Sequence, residues 1–236
     1  WALSRFSGLW VGLKTMKDTV EVTSVVDGDP HRLQFVTPEF EMPEGGLNIR
    51  LVDDRIVQES RLINHKRFAA EAFAYANKID KRVWGKAGAK IGIVSAGKNY
   101  LDVIHAMSLL NIDADEAERL GITTYKVGQV WPLDMRGFKE WAAGLDLIIV
   151  VEEKRKLIEV QIKEALFDSR SGQRVYGGTK EGAELFSAAW ALDPLEIAEK
   201  LGEVLCDEGR GTDGIRAGLA DLADAKRADN AQELAG

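Results

Sequence analysis

Residues 145–151 read Leu-Asp-Leu-Ile-Ile-Val-Val, and no other stretch of the chain restricts the fold as tightly. A strand with one wet face alternates apolar and polar residues. Positions 147–151 are apolar on both faces, so both faces need cover. That is the pattern of a central strand in a parallel sheet with helices above and below it. Each large side chain of the run contributes roughly 1.5–3 kcal/mol when fully buried.

The flanking pattern agrees. Strand-like runs at 90–94, 123–127 and, more weakly, 174–176 alternate with helix-like runs at 100–110, 113–120, 135–143, 154–167 and 194–205. Asp193 ahead of Pro194 supplies an N-cap and a first-turn proline for the last of these. The alternation predicts an α/β fold over residues 85–206, a three-layer sandwich with a mostly parallel central sheet. Ahead of it, Leu3, Phe6, Leu9, Trp10, Leu13 and Met16 recur at helical spacing within 1–17. Residues 18–42 alternate apolar and polar on either side of Asp27-Gly28-Asp29-Pro30, which predicts a β-hairpin. A loop containing Gly45 and Gly46 is expected over 43–64, then a helix over 65–81 with Phe68, Ala72, Tyr75, Ala76 and Ile79 on one face, then a turn at 85–90. Beyond 206 the chain is rich in Gly, Asp and Ala, which predicts a flexible tail over 207–236 with at most a short helix.

Composition removes several functions. One cysteine forms no internal disulfide and no iron–sulfur cluster, which takes four thiolates. A net charge of −7 argues against a general nucleic-acid binder. The first residues carry Arg5 and Lys14 and form neither a signal peptide nor a membrane span, so a cytoplasmic location is expected. The start at Trp1 rather than Met leads us to expect a piece of a longer chain.

Two stretches carry candidate chemistry. Gly92 to Lys98 matches the G-x4-G-K of a nucleotide-binding loop, but Asn99 stands where magnesium needs Ser or Thr, and Gly92 falls inside a strand. The reading preferred here is a tight strand-to-helix turn using Gly97. A milder functional reading keeps Ser95, Gly97, Lys98, Asn99 and Tyr100 as a ligand loop. They lie at the carboxyl end of a parallel strand, where a helix N-terminus and Lys98 would favour an anion. In the second stretch, Glu152 and Glu153 follow the central strand and start the next helix, where acids suit the helix dipole. The alternative is that Glu152 or Arg155 contacts a neighbouring domain or subunit. His31, His65 and His105 are scattered, and no metal-ligand spacing or nucleophile–base pair is present. Cys206 reads as a packed thiol and the six tryptophans as packing groups.

Several segments resemble the fused indolepyruvate:ferredoxin oxidoreductases of the 2-oxoacid:ferredoxin oxidoreductase family. They are ALSRFSGLWVGLKTMKDTVE (2–21), GGLNIR (45–50), ESRLINHKRFAAEAFAYANKIDK (59–81), IGIVSAGKNYLDVIHAM (91–107), GITTYKVGQVWPLD (121–134) and LIIVVEEKRKLIEVQIKEALF (147–167). The resemblance implies a parent enzyme that decarboxylates a 2-oxoacid oxidatively to an acyl-CoA. It would use thiamine diphosphate, magnesium and iron–sulfur clusters, with ferredoxin as electron acceptor and a homodimeric architecture. It also implies a layout: the end of a pyrimidine-binding domain at 1–20, a connecting region at 21–84 and a transketolase C-terminal-like domain at 85–206. No GDG…N pyrophosphate motif and no CxxC motif is present, so no catalytic residue, metal ligand or cofactor site is assigned to this chain. The expectation is a structural and assembly domain whose partners are the other domains of the parent, with no nucleic acid and no membrane. The alternative is an anion- or CoA-binding module built on residues 95–100.

Overall fold

The computed structural model describes residues 1–15, 20–169 and 172–233. The chain divides into two compact units, Trp1–Ile79 and Asp80–Gly236.

In the first unit, helix α1 (Ala2–Ser7) ends at Gly8, whose φ of 68° is left-handed. A Cβ there would sit 2.1 Å from the Leu47 carbonyl oxygen, so the chain passes too close for any other residue. Residues 8–15 are not helical, which corrects the helix expected over 1–17; Met16 and Lys17 lie outside the described residues. The turn predicted at Asp27–Pro30 forms. Asp27 accepts from the Asp29 N–H and Asp29 from the His31 N–H, at 3.0 and 2.8 Å. Its arms do not pair: no strand occurs within residues 20–42, which corrects the hairpin. Val36 instead meets a side chain. Its N–H donates to Asn77 Oδ1 and its carbonyl accepts from Asn77 Nδ2, both at 2.8 Å.

The expected loop over 43–64 contains helix α2 (Arg55–Arg61), capped by Asp54, which accepts from the N–H groups of Ile56 and Val57. A π-helical turn (Leu62–Lys66) leads from it into α3 (Arg67–Ala76), which stops five residues short of the expected end. Phe73 on α3 stacks near Phe6 and Phe35, with centroids 5.8 and 6.3 Å away.

The second unit carries the sheet. Its strands are β1 (Lys81–Arg82), β2 (Ile91–Ala96), β3 (Ile122–Val127), β4 (Leu147–Val151) and β5 (Arg174–Tyr176), in the order β1-β3-β2-β4-β5. Only β1 runs antiparallel. Helices α4 (Gly97–Leu109), α5 (Ala114–Arg119), α6 (Met135–Ala142) and α7 (Ile158–Ser169) connect these strands. A small hairpin of β6 (Thr179–Lys180) and β7 (Ala183–Glu184) precedes α8 (Pro194–Asp207). Asp193 caps α8, accepting from the Leu195 N–H as the Asp-Pro sequence requires.

The two faces of the sheet are filled differently. On one, Ile91, Ile93, Leu147 and Ile149 pack under α4 and α8, against Val103, Met107, Ile197 and Leu201. On the other, Val94, Ile148 and Val150 lie with Tyr125 beneath Phe138 and Trp141 of α6 and Ile158 of α7. Every residue of β4 is buried, as an apolar run on both faces demands. Gly92 makes room for the aromatic face: a Cβ there would lie 2.5 Å from the Trp141 ring.

The expected flexible tail is corrected. Asp213–Glu233 forms helix α9. Ile215, Gly218, Leu219 and Leu222 recur at i, i+3, i+4 and i+7 and give the helix an inward stripe. Ile215 and Leu222 are buried. A Cβ on Gly218 would lie 2.3 Å from the Leu109 carbonyl, and one on Gly202 would lie 2.7 Å from Leu219. The stripe is short, only three large apolar residues and a glycine in a segment otherwise rich in Ala, Asp and Gly, so overall composition hides it.

Candidate functional site

In parallel α/β sheets the carboxyl edge gathers the strand-to-helix loops. Here Ser95 of β2 lies opposite Lys126 of β3 and Val151 of β4, so the turns after these strands open at one edge. The turn after β2 goes directly into α4 at Gly97, with φ 55°, and Ala96 as N-cap offers the first-turn N–H groups no side-chain acceptor.

The structure brings Ser95, Gly97, Asn99 and Tyr100 together at this turn. Ser95 is 1 %, Tyr100 6 % and Asn99 7 % exposed. Ser95 Oγ and Asn99 Nδ2 form no hydrogen bond among the described residues. Burial pushes the Tyr100 phenol up, and the Lys126 ammonium lies 5.2 Å from its ring centroid. Lys98 does not join them. Its Nζ donates to Asp102 Oδ2 at 2.6 Å and to the Leu192 carbonyl at 3.4 Å.

Glu152 is a cap at a distance. Its carboxylate accepts from the N–H groups of Leu157, Ile158 and Glu159 at 2.9, 2.7 and 3.2 Å and so closes the start of α7. Burial holds its pKa above the usual glutamate value against the pull of those bonds. Arg155 is exposed in the same loop.

Sequence reasoning missed a buried acid pair. Asp80 Oδ1 accepts from the N–H groups of Gly128 and Gln129 at 2.7 and 2.8 Å, pinning the turn after β3. Asp134 caps α6 by accepting from the Gly137 N–H at 3.0 Å. Burial raises both carboxyls, and each also feels neighbouring negative charge. Burial and these two acids push Tyr125 up as well. An Asp two residues after a proline and just before a helix was a readable cap signal for Asp134. Nothing local marks Asp80, whose partners lie 48 and 49 residues away.

Among the described residues the donor set does not fit a metal ion or an iron–sulfur cluster. Among the described residues no group of three or more His, Cys, Asp or Glu could hold a metal ion. The one thiol, Cys206, is half-buried and cannot ligate a cluster alone. Among the described residues no helix is long and apolar enough to cross a membrane.

The chain is similar to indolepyruvate oxidoreductase subunit IorA of Pyrococcus horikoshii, 28% identical over 93 residues, covering 39% of this chain and 13% of the relative. The Pyrococcus abyssi subunit of the same name is 27% identical over the same shares. The aligned stretch is thus a small part of these curated relatives' length. Among solved structures, the 2-oxoglutarate:ferredoxin oxidoreductase from Magnetococcus marinus gives a TM-score of 0.38 at 17% identity, over 80% of this chain and 30% of that one. A split-gene transketolase, an inactive beta4 tetramer, gives 0.37 at 16%, over 53% and 41%. The family model of the indolepyruvate oxidoreductase domain matches residues 81–229, from β1 into α9, and the chain, matched over more than half its length, belongs to that family.

Proposed function

We propose that the chain is a structural and assembly domain of a thiamine-diphosphate-dependent 2-oxoacid:ferredoxin oxidoreductase. The parent enzyme would convert aryl pyruvates such as indolepyruvate to acyl-CoA and pass electrons to ferredoxin. Its thiamine diphosphate, magnesium and iron–sulfur clusters would be held by other parts of it, and its working form would be a homodimer. The observation that carries this reading is how the charged groups at the sheet's carboxyl edge are used. Lys98 is tied to Asp102 and a carbonyl, Glu152 caps α7, Asp80 pins a turn and Asp134 caps α6. Groups spent in this way stabilise a scaffold rather than turn over a substrate.

A surface for assembly accompanies it. Gln161 donates to the carbonyls of Val130 and Leu157 and accepts from the Leu133 N–H, each at 2.9 Å, which holds the 130–133 loop beside α7. Val130, Trp131, Leu157 and Val160 around it are 40–61 % exposed. Grouped apolar side chains at a surface mark protein contacts. Calorimetric titration of the chain with thiamine diphosphate and magnesium tests the non-catalytic part: no micromolar binding is expected, and micromolar binding overturns it. Sedimentation of the wild type and Trp131→Glu, alone and with the remaining domains, tests the assembly part. Loss of association in the variant is expected; unchanged association removes this surface from the proposal.

A further inference from the structure

The turn after β2 holds donors without acceptors. Helices α5, α6, α7, α8 and α9 each receive a side-chain oxygen at their first turn, from Asp113, Asp134, Glu152, Asp193 and Thr212. Helix α4, 13 residues long, receives none, because its N-cap is Ala96. Its first N–H groups therefore point out of the helix with the positive end of the dipole behind them. Two buried side chains flank these groups in sequence. Among the described residues neither Ser95 Oγ nor Asn99 Nδ2 has a partner, and the two residues are 1 % and 7 % exposed. An unmet buried donor costs about 1–3 kcal/mol, so two of them beside an uncapped helix indicate a missing acceptor.

The geometry points to a phosphoryl group bound at the N-terminus of α4, held by the Ser95 hydroxyl, the Asn99 side-chain amide and the first-turn backbone N–H groups. Access is provided at Gly97, where a Cβ would meet nothing within 4 Å. Charge is supplied by Lys126, which pairs in register with Ser95 and stands over Tyr100. Lys98, the residue that the sequence singles out, is occupied: it neutralises Asp102, the nearest acid on α4. A phosphoryl group suits this donor set better than a carboxylate, because its three terminal oxygens can accept from hydroxyl, amide and backbone at once. The site is independent of the assembly role proposed above.

The test is titration of the isotope-labelled 236-residue chain with inorganic phosphate, followed by the backbone amide signals. Saturable shifts are expected at Gly97, Lys98 and Asn99, with a dissociation constant of about 1 mM or tighter. Ser95→Ala and Asn99→Asp should each weaken binding about tenfold. Their folding is checked by unchanged amide signals in β3 and β4. Lys126→Met should weaken binding and flatten its salt dependence, whereas Lys98→Ala should change affinity less than about twofold. Titration with ADP separates the sources: tighter binding than phosphate assigns the site to a nucleotide, and equal binding to the free ion. Absence of saturable shifts at these amides overturns the proposal. So does acetate binding as tightly as phosphate, or full affinity retained in both Ser95→Ala and Asn99→Asp.

Discussion

Val20, Val22, Leu33 and Phe35 are 58–68 % exposed, while Ile91, Ile93, Ile148 and Ile149 are no more than 3 % exposed. Both sets sit in segments whose residue pattern reads as strand. In the second unit the central strands β2, β3 and β4 find neighbours in register and helices on both sides, and the pattern becomes a sheet. In residues 1–79 the turn at 27–32 closes but the arms beside it stay extended, with Asn77 standing in for one strand partner at Val36. Alternation therefore specifies a surface fit for a strand without specifying the partner. Among the described residues, the first unit's buried large apolar side chains are Leu47 and Phe73, a core far smaller than either face of the sheet in the second.

The contrast is open to attack by mutation. Ile149→Ala should cost about 2–5 kcal/mol in denaturant unfolding. Phe35→Ala should stay within about 1 kcal/mol; equal costs would erase the distinction. Gly218→Val forces α9 away from the Leu109 carbonyl and should cost about 1–3 kcal/mol. An unchanged melting temperature would mean that α9 docks more loosely than its spacing implies.

Asp80 sharpens the comparison further. Asp80→Ala strands the Gly128 and Gln129 N–H groups and should cost about 1–3 kcal/mol. Asp80→Asn keeps an acceptor for both and removes a buried charge, so it should be neutral or stabilising at pH 7. The sign with pH follows from the raised carboxyl. The native state holds this proton more tightly than the unfolded chain, so the stabilising contribution is fully present below 3.8 and is lost as pH rises through the folded value. Wild type measured against Asp80→Asn should therefore lose stability across that window and stay flat above it. Glu152→Ala, which uncaps α7, should cost about 1 kcal/mol, read in the same unfolding series.

What was legible followed from local physics. The run at β4, the Asp193-Pro194 start of α8 and the place of residues 95–100 after a parallel strand all rest on patterns a few residues long. The structure answers the apparent nucleotide motif in the same terms: Gly92 is a strand residue that leaves space for Trp141. What was illegible depended on distant partners. Asp80 bonds across 48 residues, and Lys98 is turned away by Asp102 and the Leu192 carbonyl. The unmet donors of Ser95 and Asn99 appear only once every neighbour is placed.

The two close approaches of α9 have a consequence for anyone shortening this protein. A cut after Cys206, at the apparent end of the α/β pattern, would remove Leu219 from the notch at Gly202 and uncover Leu110 beside it. The product would keep every strand yet present a fresh greasy groove to solvent, an invitation to clump. The inward stripe of α9 belongs with α4 and α8, and the glycines at 202 and 218 let it seat there.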